Sequence, residues 1–390
     1  MDFRPGRTPA VSTPEDTAGL RSAAVEPEIP LAVAKRIAKA VESSRSEGTR
    51  RTYAAGWRRF AGWCESEGHV ALPAHPVTVA AYLVDAADTR TETGARAYAV
   101  ATFGTWIAAI NHQHRTTGHL SPSAHELVTA TLSGIRREYA TAGDRPRTPR
   151  DPLLVEDIKI LVTMARDRCR GWADEVLERR ASAILLLGFA GAFRRRELSE
   201  MVCGDVSLHR HDGLHIRLRK SKTDQEGRGA VKALPYTDSH ETCPPCAYVR
   251  WAQVVAAYDT GGRPSVIRLL RKREPFVGHV CRGGVSRIAA RAPLLRAIAK
   301  NGNLGAAPLS GAAIHKTIRR RAEHAGYDPT TLSKLGGHSL RAGFVTQGTR
   351  NGADGTAIAR QTGHTRLDSV EVYRREHAPL VGNADSEIGL

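Results

Sequence analysis

Residues 1–30 show no hydrophobic period and are rich in Pro, Thr, Ser and Glu, which predicts a disordered tail. Beyond them apolar residues recur every three or four positions, the signature of helices with one buried face. Ile29–Ser43 is the first such stretch, and Thr49–Glu67 is clearer, with Tyr53, Trp57, Phe60 and Trp63 on one face. After Pro73 and Pro76 come Val77–Asp88, then Thr93–Thr117 with Tyr98, Phe103, Trp106 and Ile110, then Ser123–Tyr139. Strand-like alternation is missing from this region. An all-α domain of five helices is therefore expected over 31–140, with the aromatic stripe as its core.

Residues 141–152 predict a linker, because Pro146, Pro149 and Pro152 block a helix. Arg145, Arg147 and Arg150 alternate with those prolines, as either a solvated hinge or a strap along a phosphate backbone. Leu153–Arg168, Asp174–Phe193 and Arg194–Val202 then read as helices. Leu214–Arg219 alternates with period two, and Ala230–Pro235 is its candidate partner strand across the polar, glycine-containing loop KSKTDQEGRG. After Cys246 the pattern is again mostly helical. The chain thus reads as multidomain: a helical domain joined to a larger α+β domain over 153–379. Residues 380–390 form a tail that either frays or docks on a neighbouring subunit.

Charge narrows the partners. Lysine and arginine number 57 against 40 acidic residues, a net +17, which points to a polyanion. The 47 arginines against 10 lysines suit bidentate phosphate contacts, although a GC-rich genome would give the same bias. The longest apolar run, Ile184–Phe193, is too short to span a bilayer. Glu15 and Asp16, with no apolar h-region, argue against a secretory or transit signal. Six cysteines make no disulfide scaffold, so a reducing cytoplasm is expected.

Candidate chemistry concentrates near the C-terminus. His338 and Arg341 are three apart and share a helical face. Asn351-Gly352 stops that helix, Asp354 can cap another ending at Gly363, and His364 follows. Asp368-x-x-Glu371 resembles a capping box at the start of a short helix carrying Tyr373. Each feature alone is commonplace, and the 341–362 outline also fits an ordinary helix-turn-helix. Upstream, Arg194 emerges where the apolar helix ends, with Glu197 three positions on to hold it. Lys222 lies in the loop between the two candidate strands.

The ordered series Arg194-x-x-Glu197, Lys222 in a hairpin, His338-x-x-Arg341, Gly363-His364 and Tyr373 resembles the tyrosine recombinase (phage integrase) family. SKTDQEGRGAVKALP, HSLRAG and the segment RAPLLRAIAKNGNLGAAPLSGAAIHKTIRRRAEHAG resemble Cre-type members in particular. TRRTYAAGWRRFAGWCESEG is similar to the family's core-binding domain. Arg195 and Arg196 are more basic than the family's usual neighbours, so Arg194 is assigned by its spacing to Glu197. Lys220 competes with Lys222, and His364 stands where Cre has a tryptophan.

The resemblance implies an N-terminal SAM-like core-binding bundle and a mainly helical α+β catalytic domain with a small antiparallel sheet. It implies a site-specific DNA recombinase that forms a 3′-phosphotyrosyl link and acts as a homotetramer on two double-stranded target sites. Tyr373 would be the nucleophile. Its free phenol titrates near 10, so a positive cluster would help ionise it. Arg194 and Arg341 would clamp the phosphate oxygens, and His338 would take the tyrosine proton. His364 would donate to the phosphate and Lys222 would protonate the leaving 5′-oxygen. Neither ATP nor a metal is implied: Asp354, Asp368 and Glu371 read as helix caps, and there is no Walker loop. A relaxing topoisomerase-like enzyme and a DNA-binding regulator without catalysis are the alternatives. A nucleoid-associated cytoplasmic protein with no cofactor is expected. His240-x-x-Cys243-Pro-Pro-Cys246 invites a zinc reading, but four ligands are needed and Cys281 looks isolated, so a Pro-stiffened turn is expected there.

Overall fold

The computed structural model describes residues 29–144, 150–219, 229–271, 275–299, 301–379 and 381. The chain divides into two compact units, residues 1–146 and 147–390.

The first unit is helical, as its periodicity predicts: α1 (Leu31–Ser43), α2 (Glu47–Ser66), α3 (Pro76–Asp88), α4 (Val100–Thr116) and α5 (Glu126–Thr141). Local chemistry sets the boundaries. The Ser46 side chain accepts from the Thr49 amide at the start of α2, and Pro76 opens α3, where a missing N–H costs nothing. α4 starts later than the pattern suggests. Gly94, at φ 78°, closes a turn in which the Thr91 amide reaches the Ala95 carbonyl, and the segment Thr93–Ala99 stays outside the helix. Phe60, Tyr82, Leu83, Phe103 and Ile110 form the core, each contributing roughly 1.5–3 kcal/mol by burial. His114 lies buried among them with both ring nitrogens engaged: Nε2 accepts from the Ala74 amide, and Nδ1 donates to the Ile110 carbonyl.

The second unit begins with α6 (Val155–Asp167) and α7 (Trp172–Ala190), followed by the short α8 (Arg195–Glu200). The apolar run of α7 is buried all round, from Ala183 to Gly188, and the helix packs against elements on several sides. Next comes an antiparallel sheet of β1 (Val206–His209), β2 (Gly213–Leu218) and β3 (Ala230–Leu234), in that order. The β2–β3 pairing runs from Leu214↔Leu234 to Leu218↔Ala230, as the alternation predicts. α9 (Pro244–Arg271) breaks at Gly261–Gly262, where Gly262 has φ 59°, just before Pro264.

The chain is not simply helical after Cys246. β4 (Arg296–Ile298) and β5 (Leu304–Pro308) form a second antiparallel pair, reversed through Gly302 at φ 83°. Then follow α10 (Gly311–His324), α11 (Pro329–Lys334), α12 (Ser339–Arg350), α13 (Gly355–Thr362) and α14 (Asp368–His377). α12 closely approaches the segment leading into α6, because an added Cβ on Gly343 would meet the Leu153 carbonyl oxygen at 1.8 Å. This is a helical N-terminal region followed by a mixed α/β region with small antiparallel sheets. Among the described residues no helix is long and apolar enough to cross a membrane.

Candidate active site

The site grows from the end of α7. A helix C-terminus leaves carbonyls without intrahelical donors, and positive groups are favoured there. Three consecutive carbonyls are each met by a side chain from a different element. Gln361 Nε2 from α13 donates to the Ala190 carbonyl at 2.9 Å. Lys232 Nζ from β3 donates to that of Gly191 at 2.6 Å, and Arg341 Nη1 from α12 to that of Ala192 at 2.8 Å. Ala192 itself has φ 45°, a conformation costly for a residue with a Cβ and sustained by these bonds.

Immediately after this turn Arg194 precedes α8. Its amide donates to Glu197 Oε2 and its Nη1 to Oε1, both at 2.8 Å. Glu197 thus caps the helix and aims the guanidinium, as the spacing predicts. Arg194 Nη2 also reaches the carbonyl of Gly363, whose left-handed conformation ends α13 after Asp354 caps its start. Arg341 is 1% exposed, yet among the described residues its Nη2 has no hydrogen-bond partner. A buried guanidinium with one unsatisfied edge is a ready donor for an anion. Burial and the neighbouring Arg194 charge lower its pKa to about 10, so it stays protonated at neutral pH.

Tyr373 on α14 donates its hydroxyl to His338 Nε2 at 2.6 Å. Desolvation, then the charges of Arg341 and Arg194, hold His338 below the usual imidazole range. The His364 ring lies 6.3 Å from that of Tyr373. Burial and then Arg341, Arg194, His338 and Lys232 lower its pKa to about 4. Thr362 Oγ1 donates to the Ile358 carbonyl at 2.7 Å, so the 2.9 Å contact with His364 is a donation from Nδ1. Neutral His364 therefore presents a lone pair at Nε2.

Arg194, Glu197, His338, Arg341, His364 and Tyr373 are thus brought together. Lys222 and its competitor Lys220 lie outside the described residues, as do Arg145 and Arg147. Arg150 donates to the Ser333 carbonyl at 2.5 Å. The Asp368-x-x-Glu371 capping box does not form; Glu371 pairs instead with Arg374. Sequence reading missed Lys232, which is 4% exposed and lowered to about 7 by burial, with Arg341 and Arg194 adding to the fall and Glu197 opposing it. The signal was available: Lys232 shares the inward parity of Leu234 on β3.

Cys281 is not isolated, because its sulfur lies 3.9 Å from that of Cys243, and His279 joins them beside Cys246. His240 turns away to donate to the Phe276 carbonyl.

No protein-family model matches the chain. It is 28% identical over 334 residues to an integrase/recombinase XerD homolog of Selenomonas ruminantium, covering 85% of this chain and 83% of the relative. It is 25% identical over 346 residues to the recombinase Cre of Escherichia phage P1, covering 88% and 86% respectively. In structure it resembles the Tn1549 transposon integrase bound to transposon right-end DNA, with TM-score 0.51 and 15% identity over 91% of this chain and 97% of that one. The structural likeness speaks to the fold, whereas the two sequence relatives are similar over most of the chain. Over most of its length the chain is thus similar to tyrosine recombinases and phage integrases.

Proposed function

We propose that this protein is a site-specific DNA recombinase of Cre-like layout, cutting and rejoining DNA through a 3′-phosphotyrosyl intermediate on Tyr373. The observation that carries this reading is the 2.6 Å hydrogen bond from Tyr373 to a His338 kept neutral beside two arginines. His338 Nε2 takes the phenolic proton as Tyr373 Oη attacks phosphorus. Arg194 and the free edge of Arg341 bind the non-bridging oxygens, where negative charge builds in the transition state. The scissile P–O5′ bond breaks and the 5′-oxygen takes a proton from Lys222. His364 becomes a donor only on gaining a proton, which an arriving phosphate favours.

The phosphotyrosyl bond keeps the energy of the phosphodiester, so a second DNA 5′-hydroxyl rejoins the strand without ATP. Positive side chains serve the role that metal ions play in many nucleases. Four protomers would act on two target sites, with Arg145, Arg147, Arg150 and much of the +17 charge holding the duplex without reading it.

Incubation with nicked DNA carrying the target site should trap a covalent adduct on denaturing gels. Tyr373→Phe should abolish the adduct and preserve binding. Strand exchange between two sites would support the recombinase; relaxation of any plasmid without exchange would favour a topoisomerase-like enzyme. Binding with no adduct would leave only a DNA-binding regulator.

A further inference from the structure

The catalytic cluster makes no use of Cys243, Cys246, His279 and Cys281, although their ligand atoms all lie within 4.8 Å of one another. The three cysteines are buried at 0%, 0% and 1% exposure, and none is in a disulfide. We propose that Cys243, Cys246, His279 and Cys281 form a structural zinc site in the second unit.

The distances match the ion. A tetrahedral zinc with Zn–S about 2.3 Å and Zn–N about 2.0 Å separates its thiolate sulfurs by about 3.8 Å, and sulfur from nitrogen by about 3.5 Å. Here Cys243 and Cys281 sulfurs are 3.9 Å apart, and His279 Nδ1 lies 3.5 Å from Cys246 and 3.8 Å from Cys281. A disulfide would need about 2.05 Å. His279 is also oriented as a ligand. Its Nε2 lies 3.1 Å from the Asp238 carbonyl, which can only accept, so Nε2 carries the hydrogen and Nδ1 turns its lone pair toward the sulfurs.

The surrounding chain prepares the site. Pro244 and Pro245 open α9 between the two ligands of the C-x-x-C pair, and the helix N-terminus favours thiolate charge. Three thiolates and one zinc leave a single negative charge, beside which the Arg282 guanidinium stacks on the Tyr236 ring at 3.7 Å. Four protein ligands close the coordination shell, so the ion holds structure and activates no water. It ties the start of α9, reached directly from β3 with its Lys232, to the segment 276–282. Binding replaces the thiol protons, which pass to solvent.

Elemental analysis of the full-length protein, purified from zinc-replete medium without chelator, should find about one zinc per chain. Cobalt substitution should give the visible bands of a tetrahedral site and the charge-transfer bands of thiolate ligation. Cys246→Ser and Cys281→Ser should lose the metal, whereas His240→Ala should keep it. His279→Cys should also retain it, as a four-cysteine site. Zinc-free wild-type protein that takes up no cobalt overturns the proposal, as does a pair of these cysteines joined in a disulfide. Retention of zinc by Cys281→Ser does the same. Should the serine variants fail to fold, the wild-type cobalt spectrum decides by itself.

Discussion

The Lys232 ammonium donates to the Gly191 carbonyl at 2.6 Å, locking the strand β3 to the turn from which Arg194 emerges. Phe193 faces the same ammonium, with 4.7 Å from Nζ to its ring centre. The buried Lys232 side chain acts as a positioning residue, since it holds the backbone that presents the guanidinium.

Lys232→Met should therefore cost about 1–3 kcal/mol, because the Gly191 carbonyl loses its donor. The sign of its pH dependence follows from the folded pKa of about 7 against 10.5 for the free side chain. Between those values the unfolded chain binds more protons, so this group's contribution to stability rises with pH. Urea unfolding from pH 7 to 10 should show the wild type gaining on Lys232→Met. A difference that stays constant with pH would contradict the buried, depressed lysine.

The acid limb of adduct formation should lie below pH 6.5. His338 is held below its ordinary value, so it remains a proton acceptor at pH values where a free imidazole is mostly charged. Single-turnover cleavage of nicked DNA across pH 5–8 measures this. His338→Ala should slow cleavage about a hundredfold or more while leaving DNA affinity nearly unchanged.

Arg341→Lys should not behave as a conservative change. An ammonium cannot both reach the Ala192 carbonyl and present a second, fork-shaped edge to phosphate. Adduct formation should fall at least about a hundredfold. Arg341→Ala should reduce the salt slope of DNA binding by about one, as expected for one lost phosphate contact.

Gly343→Ala should destabilise the second unit by about 1–3 kcal/mol or more, since its Cβ would lie 1.8 Å from the Leu153 oxygen. Gly343 has no side chain in the catalytic cluster, so a thermal melt reads the packing cost directly. The surviving folded fraction should still form adduct.

Where the candidate site was legible, the reason was local. Asp354 caps α13 and Gly363 ends it because short polar side chains and αL glycines act on neighbouring backbone. Glu197 holds Arg194 within a single helical turn. Local rules also misled: Asp368 and Glu371 match a capping box, but an ion pair with Arg374 takes Glu371 instead. The β4–β5 pair was missed because it is short and its strands are held by long-range packing more than by alternation.

Periodicity and the order of a few polar residues were enough to determine a helical region, a mixed second region and six members of the cluster, and net charge raised the expectation of a polyanion partner. Those features depend on spacings of a few residues or on totals over the whole chain. Tertiary structure alone decided that Lys232 sits against Gly191, and that Cys281 and His279 complete the pair Cys243 and Cys246 across 33 to 38 residues. Such contacts form when packed elements bring distant side chains together, and no local periodicity encodes which distant partner will arrive.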